Sequence, residues 1–225
     1  MKLVIVSDTH ENRLSRWKIP DGDVLIHCGD CSTGTLTDLR RFGDDLHQLP
    51  HKHKLVIAGN HDVAIQKFAR EARDILAPFS YLQDEAVVID GLKFYGAPWQ
   101  PDYLCMAFNL PRCSAELEAR WAAVPSDTDV LITHCPPEGI LDWVPPNLSV
   151  GCQLLRYRLG FLKPLLHCFG HVHESRGCME QDGALFVNAA CVQTTNQPVA
   201  GPVVVEIDSA ARRVTADYCV MDSLA

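Results

Sequence analysis

No stretch of this chain is apolar for long enough to cross a membrane. The first run, Lys2-Leu3-Val4-Ile5-Val6, stops at once on polar residues and is too short for the core of a signal peptide. Nothing directs export, and a cytoplasmic protein is expected. Positive charge is also scarce: 20 lysines and arginines face 28 aspartates and glutamates, a formal net charge of -8. Such a field repels long polyanions and offers no footprint for a nucleic-acid polymer. Internal repeats, low-complexity tracts, charge blocks and linkers are missing. Ten cysteines are present, but they are scattered through apparent strands and helices rather than set in a disulfide framework. Reduced, buried thiols are expected.

What is there suits one compact unit over residues 1–225, 47% hydrophobic. Runs rich in valine, isoleucine and leucine at 2–6, 23–28, 54–58, 86–95, 129–133 and 165–169 read as strands, the fourth a hairpin turning at Asp90-Gly91. Helical character falls at 35–48, 62–76 and 114–123, and three further strands at 184–188, 203–207 and 212–220. Alternating elements followed by consecutive strands predict an α/β fold with two sheets and flanking helices rather than one doubly wound sheet. Pro136-Pro137 and Pro145-Pro146 punctuate a loop of about 15 residues.

The chemistry lies just past the strand ends. Asp8 and His10 follow the first strand, Asp30 the second, Asn60, His61 and Asp62 the third, His134 the fourth, and His171 and His173 a fifth. An isolated Asp-x-His pair is usually a surface turn or cap. Five strand ends supplying such residues make a site. Imidazole, carboxylate and amide carbonyl together suit zinc, manganese or iron; calcium prefers oxygen throughout. Asp8, His10, Asp30, Asn60, His134, His171 and His173 exceed the ligands of one tetrahedral ion, and two ions sharing Asp30 could use all seven. Such a pair acidifies a bridging water to hydroxide in line with phosphorus. His61 is expected near the site as the group that protonates a leaving oxygen, with Asp62 a candidate to hold its imidazole. Gly170 is expected to permit the turn that brings His171 and His173 to one place.

Other residues carry weaker signals. Cys28-Gly-Asp-Cys31 has redox or zinc spacing but no second pair, so packing is favoured. Cys31, beside the expected metals, would be a point of oxidation sensitivity. His27, His47, His51, His53 and His167 complete no spacing and read as structural or solvated, and Asn188 as a structural hydrogen-bonder. Trp99, Phe108, Pro136, Pro137 and Trp143 either line a substrate lip or cover the core.

Asp8-x-His10, Gly29-Asp30, Gly59-Asn60-His61, His134 and Gly170-His-x-His173, in that order, resemble the motif set of the calcineurin-like metallophosphoesterases. The resemblance implies two facing mixed β-sheets flanked by helices. It places Asp8, His10, Asp30 and His173 on one divalent metal ion (Mn2+, Fe2+/Fe3+ or Zn2+), Asp30, Asn60, His134 and His171 on a second, and His61 at the leaving group. Longer stretches, among them Tyr95-Gly-Ala-Pro-Trp99, His134-Cys-Pro-Pro-Glu138 and Phe169-Gly-His-Val-His-Glu174, resemble the metallophosphoesterase-domain proteins and imply kinship with class III cyclic nucleotide phosphodiesterases. Cys31 departs from the wider pattern, and the arginine common a few residues later is missing, which weakens any inference of protein-phosphatase activity. A phosphodiesterase acting on a small phosphoester, with a nucleotide among the candidates, is the expectation. A monoesterase or nucleotide phosphatase is the alternative within that chemistry. A fold-retaining binding scaffold is the rival outside it, opposed by the intact ligands and His61.

Overall fold

A computed structural model describes residues 1–32 and 34–220, and beyond 215 only the course of the backbone. The apolar runs form two six-stranded sheets. In the first, β1 (Lys2–Val6), β2 (Val24–His27), β3 (His53–Val56) and β4 (Ser80–Tyr81) are parallel neighbours. Antiparallel β15 (Val203–Asp208) and β16 (Arg213–Val220) extend it beyond β1. In the second, β6 (Leu92–Ala97), β9 (Val130–Thr133), β12 (Leu166–Phe169) and β14 (Ala184–Asn188) are parallel, with antiparallel β5 (Glu85–Ile89) and β13 (Gly177–Gln181) at the edges. Two short pairs complete the β structure: β7 (Gln100–Pro101) with β8 (Asn109–Leu110), and β10 (Trp143–Val144) with β11 (Leu148–Ser149).

Both sheets are apolar on both faces, as parallel strands covered on each side require. Alternation along β1 sends Leu3 and Ile5 into one core, where they meet Phe94, Val130, Ile132, Leu166 and Val187 of the second sheet. Val4 and Val6 point the other way, toward the helices. On the outer face of the first sheet lie α1 (Leu36–Gln48) and α3 (Ala69–Leu76), and on that of the second α4 (Ala115–Ala122) and α5 (Gln153–Leu162). The order is helix, sheet, sheet, helix. Thr35 and Ser114 start α1 and α4 by accepting the amides of Asp38 and Leu117, which satisfies an otherwise orphaned donor at each helix start.

Several details differ from the sequence reading, among them the edge strand β13, which was not expected. The helix expected over 62–76 is broken: α2 (Val63–Lys67) ends at Phe68, whose φ of -122° and ψ of 53° leave the helical region before α3 begins. The long proline-marked loop holds the β10–β11 hairpin. And α5 was not foreseen, because Tyr157 and Phe161 on its exposed face blur the stripe formed by Leu155, Leu159 and Leu162. The hairpin at Asp90-Gly91 is as expected, both residues having positive φ.

Candidate metal centre

Parallel pairing puts the carboxyl ends of β1, β2 and β3 at one end of the first sheet, and those of β9 and β12 at one end of the second. The chain turns sharply on leaving them. Asp8, His10, Asp30 and His171 all have φ between 50° and 68°, a region that non-glycine residues avoid and that costs of order 1–3 kcal/mol each. A web of backbone bonds holds these turns together: the Asp8 amide donates to the Gly29 carbonyl at 3.0 Å and the His10 amide to the Asp30 carbonyl at 2.8 Å. Gly170 donates to the His134 carbonyl at 3.0 Å. The site carboxylates join in, Asp30 accepting the His61 amide at 2.8 Å and Asp8 the His171 amide at 3.0 Å.

Two carboxylates, Asp8 and Asp30, are buried here, and their ion-pair partners are all histidines. Burial raises the Asp30 carboxyl, but the charge and hydrogen bond of His134 outweigh it and bring it down to about 2. Asp8 is likewise raised by burial and pulled well below the usual carboxylate range by His173, His134 and His10. Burial lowers His134, and Asp30 more than reverses this, lifting it to about 9. Burial pushes His171 down to about 4. His10 is also lowered by burial, and among the described residues neither of its ring nitrogens has a hydrogen-bond partner. A buried negative site lined by unpartnered imidazole nitrogens calls for a cation.

The donor set fits a first-row divalent ion. His134 Nδ1 lies 2.9 Å from the Cys28 carbonyl oxygen, which can only accept, so Nδ1 carries a proton, and Nε2 is the nitrogen that faces the site. His134 Nε2 is 2.9 Å from Asn60 Oδ1 and 3.4 Å from Asp30 Oδ2. Donors roughly 2.1 Å from a shared ion are about 3 Å apart, so this spacing suits one metal. His173 Nε2 stands 3.3 Å from Asp8 Oδ1 on the other flank. Three groups have ligand atoms all within 4.8 Å of one another: Asp8, His10 and His173; His10, Asp30 and His61; Asp8, Asp30 and His134. Asn60 joins through His134. His171 joins through its amide and a ring contact with His134 at 5.0 Å, and its ring nitrogens are in none of the three groups. His61 is the half-buried member nearest solvent, its Nε2 4.0 Å from Asp30 Oδ2 and its ring 4.8 Å from that of His10.

Several expectations change. Asp62 does not orient His61. Its buried carboxylate accepts the amides of Asp30, Cys31, Ser32 and Gly59 and the Ser32 hydroxyl, clipping the loop after β2 to the loop after β3. Gly170 is needed for closeness rather than for a turn. A Cβ there would stand 2.6 Å from Ser7 Cβ and nearer still to Asp8 Oδ2, while the left-handed turn falls on His171. Gly59 is constrained the same way by His134 Cε1, 2.6 Å from where its Cβ would be. Trp99 and Phe108, 8% and 1% exposed, belong to the core. The Trp99 indole donates to Asp84 at 2.8 Å beneath the Arg120 guanidinium. Pro136 and Pro137 are buried too, whereas Trp143 is 48% exposed.

Cys28 and Cys31 are free thiols, and burial, reinforced by Asp62, pushes Cys31 well up, so the thiol stays protonated and unreactive. Asn188 is structural, donating to the Leu141 and Val172 carbonyls. His27 and His167, both pushed down to about 3 by burial, pair with Thr9 and Thr133, each next to a site residue. Met106 and Ser175 carry no signal in the sequence: Asn60 donates to the Met106 sulfur, and the Ser175 hydroxyl accepts the Trp143 amide and donates to the Trp143 carbonyl. No spacing signals such contacts.

Two mixed sheets whose parallel strands end on buried carboxylates and imidazoles define a class of metal-dependent phosphoesterase. The chain belongs to the calcineurin-like phosphoesterase family, whose model matches residues 1–175. It is 38% identical over 232 residues to human metallophosphoesterase domain-containing protein 1, covering 92% of this chain and 71% of that protein. A UPF0046 protein of Caenorhabditis elegans is 39% identical over 220 residues, with 91% and 74% covered. Among solved structures, TT1561 of Thermus thermophilus is similar with a TM-score of 0.65 at 14% identity, over 97% of this chain and 98% of that one. The phosphopantetheinyl hydrolase of Mycobacterium tuberculosis gives 0.58 at 14% identity, over 87% and 90%. Among the described residues no helix is long and apolar enough to cross a membrane.

Proposed function

We propose that the protein hydrolyses small phosphodiesters, cyclic nucleotides among the candidates, at a two-metal site. Asp8, His10, Asp30 and His173 would hold one ion and Asp30, Asn60, His134 and His171 the other. The observation that carries this is the convergence of two buried carboxylates on imidazoles, those of His10 without hydrogen-bond partners, with no lysine or arginine paired to the carboxylates among the described residues. Asp30 Oδ2 faces His134 on one side and His61 on the other, which suits a shared ligand. When bound, the two ions would supply an activated solvent nucleophile and neutralise phosphoryl charge.

The chain's own groups do the rest. The Cys28 carbonyl keeps the His134 tautomer, Asp62 holds the Asp30 and Asn60 loops in register, and the His10 imidazole is held neutral by burial. His61, at the exposed rim beside Asp30, is placed to give a proton to the departing oxygen. A reducing, cytoplasmic setting suits the nine free thiols among the described residues.

The deciding experiment strips the metals, reconstitutes with manganese, zinc or iron, and assays cyclic nucleotides, other diesters and monoesters beside Asp30→Asn. Diester turnover that depends on metal and on Asp30 is expected. Turnover of monoesters alone would move the assignment to a phosphatase, and no turnover under any metal would leave a scaffold. For His61→Gln, rates should fall most for esters with poor leaving groups; an unchanged pH-rate profile rules His61 out as the acid.

A further inference from the structure

We propose that Tyr103 receives the organic group of the ester, so that the site favours planar aromatic groups, nucleobases or aryl rings, over alkyl ones. This assignment rests on the phosphoesterase reading of the adjoining centre.

Tyr103 lies in the loop between β7 and β8, and its ring stands edge-on to His171, 6.2 Å between centres at 83°. Among the described residues it is the one ring other than histidine that contacts a site imidazole. It is nevertheless 56% exposed. An aromatic ring set beside a candidate metal ligand with much of its surface open is a platform for a flat apolar group.

The loop beneath it is built rather than loose. Asn109 Nδ2 donates to the Tyr103 carbonyl at 2.7 Å and to Asp102 at 3.1 Å, and its Oδ1 accepts from the buried Gln100 at 2.7 Å. The Ala107 amide donates to the Asn60 carbonyl at 3.1 Å, and Met106 sulfur accepts from the Asn60 side chain at 3.0 Å. The segment presenting Tyr103 is therefore braced directly on a candidate metal ligand, and the backbone of Tyr103 is fixed while its ring is not covered. Other aromatic candidates are committed elsewhere. Trp99 is locked between Asp84 and Arg120, Phe108 is in the core, and Trp143 has no ring contact with a site imidazole.

Stacking of a base on an aromatic side chain spans roughly 5- to 150-fold in affinity. The test compares binding of adenosine 5′-monophosphate and ribose 5-phosphate to the manganese-reconstituted protein by calorimetry, in wild type, Tyr103→Phe and Tyr103→Ala, with metal content measured in each. Wild type and Tyr103→Phe should prefer the nucleotide about tenfold, and Tyr103→Ala should bind both alike with metal content unchanged. In turnover, Tyr103→Ala should raise KM for a nitrophenyl ester about tenfold and leave the KM of a methyl ester where it was. The assignment is overturned if wild type shows no preference for the nucleotide, or if Tyr103→Ala keeps it or weakens both ligands equally. Should every ester resist hydrolysis while the nucleotide preference vanishes in Tyr103→Ala, the phosphoesterase reading fails and the Tyr103 platform stands.

Discussion

Replacing Asp62 by asparagine exchanges one carboxylate oxygen for an amide NH2, and neither oxygen position receives it without losing a bond. One oxygen accepts the amides of Asp30 at 2.9 Å and Gly59 at 2.8 Å; the other accepts the Ser32 amide and hydroxyl, each at 2.9 Å. Turned toward Asp30 and Gly59, the new NH2 faces two backbone donors; turned toward Ser32, whose hydroxyl can rotate to accept, it still faces the Ser32 amide in a buried site. The Ser32 side is the less costly, and a donor left without an acceptor costs roughly 1–3 kcal/mol, so Asp62→Asn should lose about 1–3 kcal/mol. That is a large part of the roughly 5–15 kcal/mol typical of a domain. Burial, with the Asp30 charge added, raises Asp62 to about 6, and the backbone donors limit the rise, so the carboxylate is ionised at pH 7. The assay is urea unfolding followed by circular dichroism, together with metal affinity, because the loops that loosen carry Asp30 and Asn60. A variant that unfolds at the wild-type urea concentration and keeps its metal would falsify the role given to Asp62.

Gly170→Ala should abolish metal binding and reduce turnover more than a hundredfold, since its Cβ would displace Asp8; a variant with full metal occupancy refutes this. In contrast, Gly160→Ala in α5, where a Cβ meets nothing within 4 Å, should raise stability by about 0.5–1 kcal/mol and leave turnover alone, as melting curves and rates will show. His167, held at about 3 in the fold against about 6.5 unfolded, takes up its proton only on unfolding between those values. Its contribution is intact above pH 6.5 and lost as pH falls toward 3, at up to about 1.4 kcal/mol per pH unit; His167→Gln should flatten that acid limb in urea titrations from pH 7.5 to 4. Trp99→Phe removes the indole donor to Asp84 and should cost roughly 1–2 kcal/mol in urea with KM unchanged, whereas a raised KM would return Trp99 to the substrate lip.

The site residues were legible because each follows an apolar run, and a parallel strand hands the chain to its carboxyl end whatever lies above or below it. Helix α5 was not, because apolar residues on both its faces hide the period.

Residue type, order and spacing by themselves determined the two-sheet α/β fold, the family and a list of candidate side chains, of which Asp8, His10, Asp30, His61, His134 and His173 lie within ligand reach of one another in the fold. Direction is what they could not hold. Whether Asp62 faces His61 or the next loop, whether Trp99 turns out or in, why residue 170 must lack a Cβ, and that Tyr103 stands beside His171 all depend on how two sheets close on each other. The bond from His134 Nδ1 to the Cys28 carbonyl spans 106 residues of chain, and its geometry is set by packing between sheets rather than by any neighbour in sequence.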